Sequence, residues 1–514
     1  MIYSYHSFIL PFTCIYEGNI YELFDNNNAD NIWKYVDKSV ESNSLREINI
    51  ESIYENKGYY DAYKFFNEAG RNLVFSDSKT KNSHNYGLRN EYLSGLKYYI
   101  KYGNSKKEVY ELNIHKITLK FFETGVSVFI LECANESYRT IEDVKRINEY
   151  GRRLAYPYWP EKGGFCHKCA FSLKIGYSDE RDELSSDYFL DELISKKIQV
   201  VSLAYVSKIV RELLNRNGSG YIFRGKTVSS AKEIQMKTLL EEKMFVASFI
   251  CDKNYCQKLY DNLLKNNGNF SEDIKDNIIE LLRVDLPGEC SIGNKEERDI
   301  FLKDHLYLTS FSEKDKKIMA VTDQAYVKIV PSPDYEEGYF KNVYLPLLLI
   351  PLVQRNTIEI FHQKIMELTN SASEKVNLSI VRRIINVQNK YVIFRNQFMP
   401  GLVTAQKEGK YLYSKLQSEL AIPEENKVLE SQVGKLFELA NTNQSYAFSK
   451  WGLSLSLTSL TISFISFLNT AQSISKIGFE NYSGIPVVLL TISIILVIIF
   501  SIIFGVFSRK RGNR

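Results

Sequence analysis

The two longest uncharged stretches of the chain lie near its C-terminus. Residues 485–507 contain no charged side chain over 23 positions, and as a helix they span roughly 34 Å, enough for a hydrocarbon core of about 30 Å. Residues 451–468 contain none over 18 positions and span about 27 Å as a helix. We therefore predict a C-terminal hairpin of two transmembrane helices within residues 451–508.

Charges around this hairpin set its predicted orientation. The tail at 509–514 is basic, and basic residues flank the cytoplasmic ends of membrane helices. The N-terminus shows no signal-peptide pattern, and the seven scattered cysteines are typical of a reduced, intracellular chain. We expect a multi-pass protein of the cell's inner (plasma) membrane with its N- and C-termini in the cytoplasm.

Small polar residues recur along the first segment at alternating steps of four and three. We call them the hydroxyl row: Ser456, Ser459, Ser463, Ser466 and Thr470. This spacing keeps them on one helix face, which is typical of a packing surface between membrane helices. The same spacing also suits a pore lining in a symmetric oligomer. The functional prediction is a pore lining, and both interpretations stay open.

Hydrophobic periodicity divides the rest of the chain into two regions. Helical patterns at 344–368, 376–398 and 429–449 predict a stalk over residues 336–450, whose last helix can continue into the first membrane segment. Strand patterns dominate before it, at 2–14, 109–122, 126–133, 244–251, 305–311 and 318–321, together with a helix at 140–150 that Thr140 can cap. We predict an α+β cytosolic domain, a mixed sheet with helices, over residues 1–335.

Composition narrows the classes of function. The chain has 514 residues, of which 44% are hydrophobic and 25% charged, and this composition excludes wholesale disorder. The formal net charge is only +4, and neither half of the chain is strongly basic. We therefore expect no direct contact with nucleic acid.

The C-terminal elements resemble the CorA family of divalent-cation transporters. The resemblance rests on a stalk helix that continues into a membrane helix, on Pro486-Val487-Val488-Leu489-Leu490 opening the second segment, and on Arg509-Lys510-Arg511 after it. The family's Gly-Met-Asn signature is absent; its nearest counterpart is Gly478, Phe479, Glu480 and Asn481, which keeps only the glycine. The resemblance implies a homo-oligomer in the lipid bilayer, pentameric by family analogy, and it allows a divalent cation as a further ligand.

A second resemblance lies in the N-terminal half. Phe122-Glu123-Thr124-Gly125-Val126, with the segment 147–153 that follows, is similar to divergent CorA-like proteins found beside type III CRISPR systems. It implies that the cytosolic domain binds a nucleotide second messenger, SAM-AMP. It also implies that the membrane part is the effector of an antiviral response, acting as an ion channel or a membrane disruptor. A constitutive magnesium transporter is the alternative function.

The candidate ligand-binding residues are Asn148, Gly151, Arg152 and Arg153, at the end of the predicted helix. A planar guanidinium can bind a phosphate through two parallel hydrogen bonds, which favours a ligand contact by Arg152 or Arg153. The structural alternative is that Gly151 is the left-handed residue that ends the helix, followed by cations that suit the helix dipole. The sequence does not separate these two interpretations.

Two further patterns are weaker. The loop at 220–227 formally matches a phosphate-loop motif, but no strand is predicted to feed it, so a membrane-anchored NTPase is the least favoured function. Cys166 and Cys169, together with the downstream pair Cys251 and Cys256, could form a tetrahedral zinc site. The wider spacing of the second pair and the position of Cys251 at a strand end favour buried cysteines instead, and we predict no metal site. Since no nucleophile–base pair or paired carboxylates can be recognised, we predict no catalytic residues and no enzyme activity.

Overall fold

The computed structural model describes residues 2–15, 33–35, 57–74, 83–88, 93–102, 108–153, 170, 172–176, 235–240, 243–266, 268–307, 316–374 and 378–478. Several predicted features lie outside these residues. They are the membrane segment at 485–507, the tail at 509–514, the loop at 220–227, and Cys166, Cys169, Phe479, Glu480 and Asn481.

The described strands form one mixed sheet of twelve. They are β1 (Ser4–Ile15), β2 (Trp33–Tyr35), β3 (Ser83–Leu88), β4 (Lys97–Lys101), β5 (Val109–Phe122), β6 (Val126–Asn135), β7 (Ser172–Gly176), β8 (Gln235–Thr238), β9 (Phe245–Cys251), β10 (Leu306–Tyr307), β11 (Ile318–Val321) and β12 (Ala325–Val330). The main order is β10-β11-β12-β9-β1-β6-β5-β3-β2, with β8 beside β1 and β4 between β5 and β7. The pair β9 and β12 is parallel.

The described helices are α1 (Lys57–Phe65), α2 (Glu68–Val74), α3 (Ile141–Arg152), α4 (Lys253–Lys265), α5 (Glu272–Arg283), α6 (Lys295–His305), α7 (Glu336–Tyr339), α8 (Leu345–Glu374), α9 (Leu378–Gln397), α10 (Lys407–Glu419) and α11 (Ile422–Gly478). A π-helical turn at Phe340–Tyr344 joins α7 to α8. The predicted combination of a mixed sheet with helices is confirmed.

The hairpin of β5 and β6 turns where the sequence predicts it. The amide of Gly125 donates to the carbonyl of Phe122 at 2.9 Å, and Gly125 takes a φ of 94°, which a residue with a side chain rarely adopts. Strand β6 is buried along its whole length, so this hairpin forms part of the interior. It places β6 directly against β1.

Strand β1 presents different chemistry on its two faces. Tyr5 pairs with Phe249 of β9, and both rings contact Phe340 of the π-helical turn, with ring centroids at 6.1 and 5.6 Å. The next pair, His6 and Ser248, faces helix α3 instead, because successive strand residues point to opposite sides. Both faces of the central sheet are therefore covered.

Helix α3 lies on the side of β1 that His6 faces and packs against β1, β4 and β9. The hydroxyl oxygen of Thr140 accepts from the amide of Asp143 at 3.0 Å, as the predicted N-cap requires. Ile141, Val144 and Ile147, one turn apart along the helix, are buried in the core. Each such side chain stabilises the fold by roughly 1.5–3 kcal/mol.

One strand prediction needs correction, and several strands were not predicted. The strand predicted at 305–311 is wrong at its start, because His305 ends helix α6 and strand β10 begins at Leu306. Strand β12 escaped prediction although all six of its residues are buried. Its Lys328 obscured the pattern; the ammonium group is paired with the carboxylate of Glu336 and is stacked over the ring of Tyr344.

Helix α11 extends 57 residues, from Ile422 to Gly478. It confirms that the helix predicted at 429–449 continues through residues 451–468. Across the described part of the chain, no helix combines the length and the apolar character that crossing a membrane requires. The transmembrane hairpin therefore stays a prediction.

The chain divides into two compact units. One comprises Met1–Glu367 and Val387–Val433, and the other comprises Leu368–Asn386 and Gly434–Arg514. The predicted domains, with boundaries near residues 335 and 450, are drawn from the change between strand and helix patterns, and they stay predictions. The sheet and the site described next belong to the first unit.

Candidate ligand-binding cleft

A cleft of about 350 Å³ lies within the first unit, at the start of β9. Its sheet side includes Arg152 at the end of α3, Lys243 just before β9, and Gln324 in the turn between β11 and β12. Its helical side includes Arg355 of α8, Glu419 at the end of α10, and Leu420 and Ala421 between α10 and α11. This volume falls at the lower end of small-molecule sites, which measure roughly 300–1,000 Å³.

The guanidinium of Arg152 is buried and holds several acceptors. Its Nε donates to Glu149 Oε2 at 2.8 Å, its Nη1 to Gln324 Oε1 at 2.9 Å, and its Nη2 to the carbonyl of Val284 at 3.3 Å. Arg152 therefore ties α3 to the β11–β12 turn and to the end of α5. It lines the cleft as a fixed cation whose donors are engaged within the protein.

Arg153 shares the Glu149 carboxylate. The guanidinium of Arg153 pairs with Glu149 Oε1, while Oε2 accepts from Arg152. The backbone of Arg153 forms an isolated antiparallel bridge with Lys243, which fixes the position of Lys243 at the cleft. Arg153 itself is not among the residues that line it.

Asn148 lies in a buried polar network between α3 and the sheet. Its Oδ1 accepts from His6 Nδ1 at 2.7 Å and from the hydroxyl of Ser248 at 3.0 Å. The other ring nitrogen of His6 contacts the hydroxyl of Ser4 at 2.9 Å, and Asn135 Nδ2 donates to that same hydroxyl. Burial lowers the pKa of His6 to about 4, against a smaller opposite effect of its bond to Asn148, so the ring is neutral. In this position Asn148 fixes α3 to β1 and β9.

Gly151 has a packing role that differs from the predicted one. It lies inside α3, which continues to Arg152, so its interpretation as a left-handed residue after the helix is wrong. A Cβ atom at this position would come within 2.7 Å of Phe8 Cζ and 3.0 Å of Ile100 Cδ1. The hydroxyl of Tyr98 donates to its carbonyl at 2.8 Å. The absent side chain lets the helix approach the sheet beside the cleft.

The carboxylate of Glu419 has two nitrogen partners within the protein. His305 Nε2 lies 3.0 Å from its Oε2, and Lys415 Nζ lies 2.9 Å from its Oε1. Burial raises the pKa of this carboxyl, but the hydrogen bonds from His305 and Lys415 outweigh burial, and the pKa lies below its ordinary value. Glu419 is therefore ionised at neutral pH, and Lys415 provides a positive charge beside it.

Of the four predicted ligand residues, only Arg152 lines the cleft. Asn148, Gly151 and Arg153 do not line it, and they hold helix α3 in place through the contacts described above. The remaining charged lining residues, Lys243, Asp323, Arg355 and Glu419, carried no recognisable motif. They come from four separate segments of the chain, and only tertiary packing brings them together. Within the described residues, no group of three or more His, Cys, Asp or Glu could hold a metal ion.

The predicted pore-lining residues and Gly478 lie on α11. Ser456, Ser459, Ser463 and Ser466 are exposed, Thr470 belongs to the same helix, and Gly478 ends it. Apolar side chains around the hydroxyl row are exposed as well: Leu455, Leu460, Ile462, Ile465 and Phe467 are each 57–70% accessible. The hydroxyl row thus lies on a continuous helix, as its spacing predicts.

Comparisons with known proteins add little to this description. No protein-family model and no curated protein matches the chain. Among solved structures, the CorA magnesium transporter from Methanocaldococcus jannaschii is aligned over 54% of this chain and 95% of its own, with 10% sequence identity and a TM-score of 0.19. Because this TM-score is low, the alignment carries no argument about the fold.

Proposed function

We propose that this protein is a CorA-like membrane effector of type III CRISPR antiviral defence. In this proposal its N-terminal domain binds the nucleotide second messenger SAM-AMP. Binding then opens an ion channel, or disrupts the membrane, through the C-terminal hairpin. The sequence resemblances at 122–153 and at the C-terminus supply the class of ligand and the architecture of the effector.

One observation carries the membrane part of the proposal. Helix α11 begins beside the cleft at Ile422 and continues without interruption into 451–468, where no residue is charged. Its large apolar side chains there are exposed to more than half of their area. Exposed apolar surface of this extent is unfavourable in water, and it calls for lipid or a partner helix.

A homo-oligomer follows from the size of the hairpin. Two helices cannot enclose a pore, so several copies must contribute one helix each. The hydroxyl row gives α11 a face that suits either close helix packing or a hydrated pore. Family analogy favours a pentamer.

The cleft supports the ligand-binding part. The segment that resembles the CRISPR-associated proteins, 147–153, includes Arg152, which lines a cleft of nucleotide-compatible volume. This cleft also includes the residues just before α11. A ligand can shift a conformational equilibrium only through higher affinity for one of its states, and in this proposal the cleft beside the junction supplies that difference in affinity.

The proposal is tested with purified full-length protein in sealed lipid vesicles that contain an ion-sensitive dye. We expect ion flux only after SAM-AMP is added, with AMP as the control nucleotide. Tight vesicles in the presence of bound SAM-AMP would show that the channel mechanism is wrong. Magnesium flux without any nucleotide would instead favour a constitutive transporter.

A further inference from the structure

One donor nitrogen of a cation in the cleft lacks a hydrogen-bond acceptor among the described residues. Nη1 of Arg355 is buried and has no hydrogen-bond partner among the described residues. Its nearest carboxylate, Glu359, lies at 3.9 Å, beyond hydrogen-bond distance. A buried donor left unpaired costs about 1–3 kcal/mol, and a charged one costs more. An unsatisfied group of this kind needs an explanation, and a missing anion is one.

The surrounding charges favour an anion. Arg152 is already paired with Glu149, and Glu419 is already paired with His305 and Lys415. The charged lining as a whole consists of three cations, Arg152, Lys243 and Arg355, and two carboxylates, Asp323 and Glu419. The cleft therefore carries a net positive charge, which attracts an anionic group.

The apolar part of the lining gives the rest of the ligand's chemistry. Met244 and Phe245 at the start of β9, Leu352 one turn before Arg355, and Leu420 before α11 border the same space. Pockets that combine an apolar surface with a few charged groups bind organic molecules, because the apolar surface binds the body and the charges orient it. An anion without an organic body leaves this surface unused.

We propose that the cleft binds a small organic phosphate through Arg355, with Lys243 as the second cation, and that the bound ligand orders the junction between α10 and α11. This inference rests on the proposed function and names the residue that binds its ligand. A planar guanidinium matches a phosphate through two parallel hydrogen bonds, which an ammonium group cannot reproduce.

The junction is positioned to respond to occupancy. Leu420 and Ala421 line the cleft, and Ile422 begins α11 directly after them. Ala421 takes a φ of 51°, a left-handed conformation that is strained for a residue with a side chain. A ligand that contacts this junction favours one direction in which α11 can leave α10.

The test measures binding of AMP, SAM-AMP and inorganic phosphate to the full-length protein in detergent by calorimetry. Arg355→Gln is compared with Arg395→Gln, an exposed arginine on helix α9. Loss of a hydrogen bond to a charged group costs about 1.5–3 kcal/mol, so we expect organic phosphate to bind about 10- to 100-fold more weakly to Arg355→Gln. Arg395→Gln should bind as the wild type does.

Two further measurements keep the result interpretable. Arg355→Lys preserves the charge and should bind with intermediate affinity, and thermal unfolding checks that each variant is folded. Hydrogen exchange should slow in residues 416–425 of the wild type when the ligand is bound. Equal affinity of Arg355→Gln and wild type, equal affinity of inorganic and organic phosphate, or no binding of any of the three would overturn the inference.

The vesicle assay separates this inference from the proposed function. If organic phosphate binds through Arg355 while the vesicles remain impermeable to ions, the assignment of the cleft is correct and the channel mechanism is wrong. If SAM-AMP opens vesicles of wild type and Arg355→Gln at the same concentration, the effector function holds and the role of Arg355 is wrong.

Discussion

Gly151 lies where helix α3 comes closest to the central strands. The nearest atoms, on Phe8 and Ile100, belong to fully buried side chains that have little room to move. We expect Gly151→Ala to destabilise the protein by about 1–3 kcal/mol, because the added methyl group overpacks the interface. Thermal unfolding of the purified protein measures the effect.

A matched control exists on α11. Gly434 lies in the middle of the helix and is exposed, and an added Cβ there meets nothing within 4 Å. Gly434→Ala should stabilise the protein by about 0.5–1 kcal/mol through helix propensity alone. If both substitutions shift the unfolding temperature in the same direction, the close packing of Gly151 against Phe8 and Ile100 does not exclude a side chain at position 151.

His6 makes stability depend on pH. Its pKa is about 4 in the folded protein and 6.5 in the unfolded chain, so between these values the unfolded state binds the extra proton. Stability is therefore lost as the pH falls from about 6.5 to 4, by an amount on the order of 3 kcal/mol. The variant His6→Gln should lose less stability between pH 6.5 and 4. Unfolding temperatures of the wild type and the variant, measured across this pH range, test this expectation. Parallel curves would contradict a buried neutral histidine.

At the scale of the element, local signals predicted well and long-range packing did not. Thr140 correctly predicted the start of helix α3, and Gly125 correctly predicted the turn of the β5–β6 hairpin. Both predictions succeeded because a helix cap and a tight turn depend only on neighbouring residues. Gly151 was misinterpreted because a helix end and a close approach to a sheet both require glycine. Arg355 could not be connected with Lys243 from the sequence, because 112 positions separate them and only the completed fold brings them to one cleft.

The hydroxyl row makes a prediction about helix α11. If Ser463 faces a hydrated pore, Ser463→Leu places an apolar side chain at the wall. A barrier raised by about 1.4 kcal/mol lowers ion flux about tenfold. Ser454→Leu is the matched control, since Ser454 is exposed on the same helix outside the hydroxyl row. Flux through vesicles is the measurement, and equal inhibition by both changes would favour a packing role.

For the whole molecule, the central issue is what covers the apolar part of α11. Lipid and a partner protein would both shield it, but only insertion into the bilayer resists extraction by alkaline carbonate. We expect the full-length protein to stay with the membrane pellet. A form truncated after residue 448 lacks both predicted segments, so it should stay in the supernatant, where gel filtration checks that it is not aggregated.

A form truncated after residue 478 decides the role of 451–468 by itself. It keeps the exposed apolar stretch of α11 and lacks 485–507. If 451–468 crosses the bilayer, this form stays in the pellet, because burying several leucine, isoleucine and phenylalanine side chains in lipid outweighs the cost of the serine hydroxyls. If carbonate releases it, then 485–507 is the only anchor. The exposed face of α11 then covers a partner helix instead of contacting lipid.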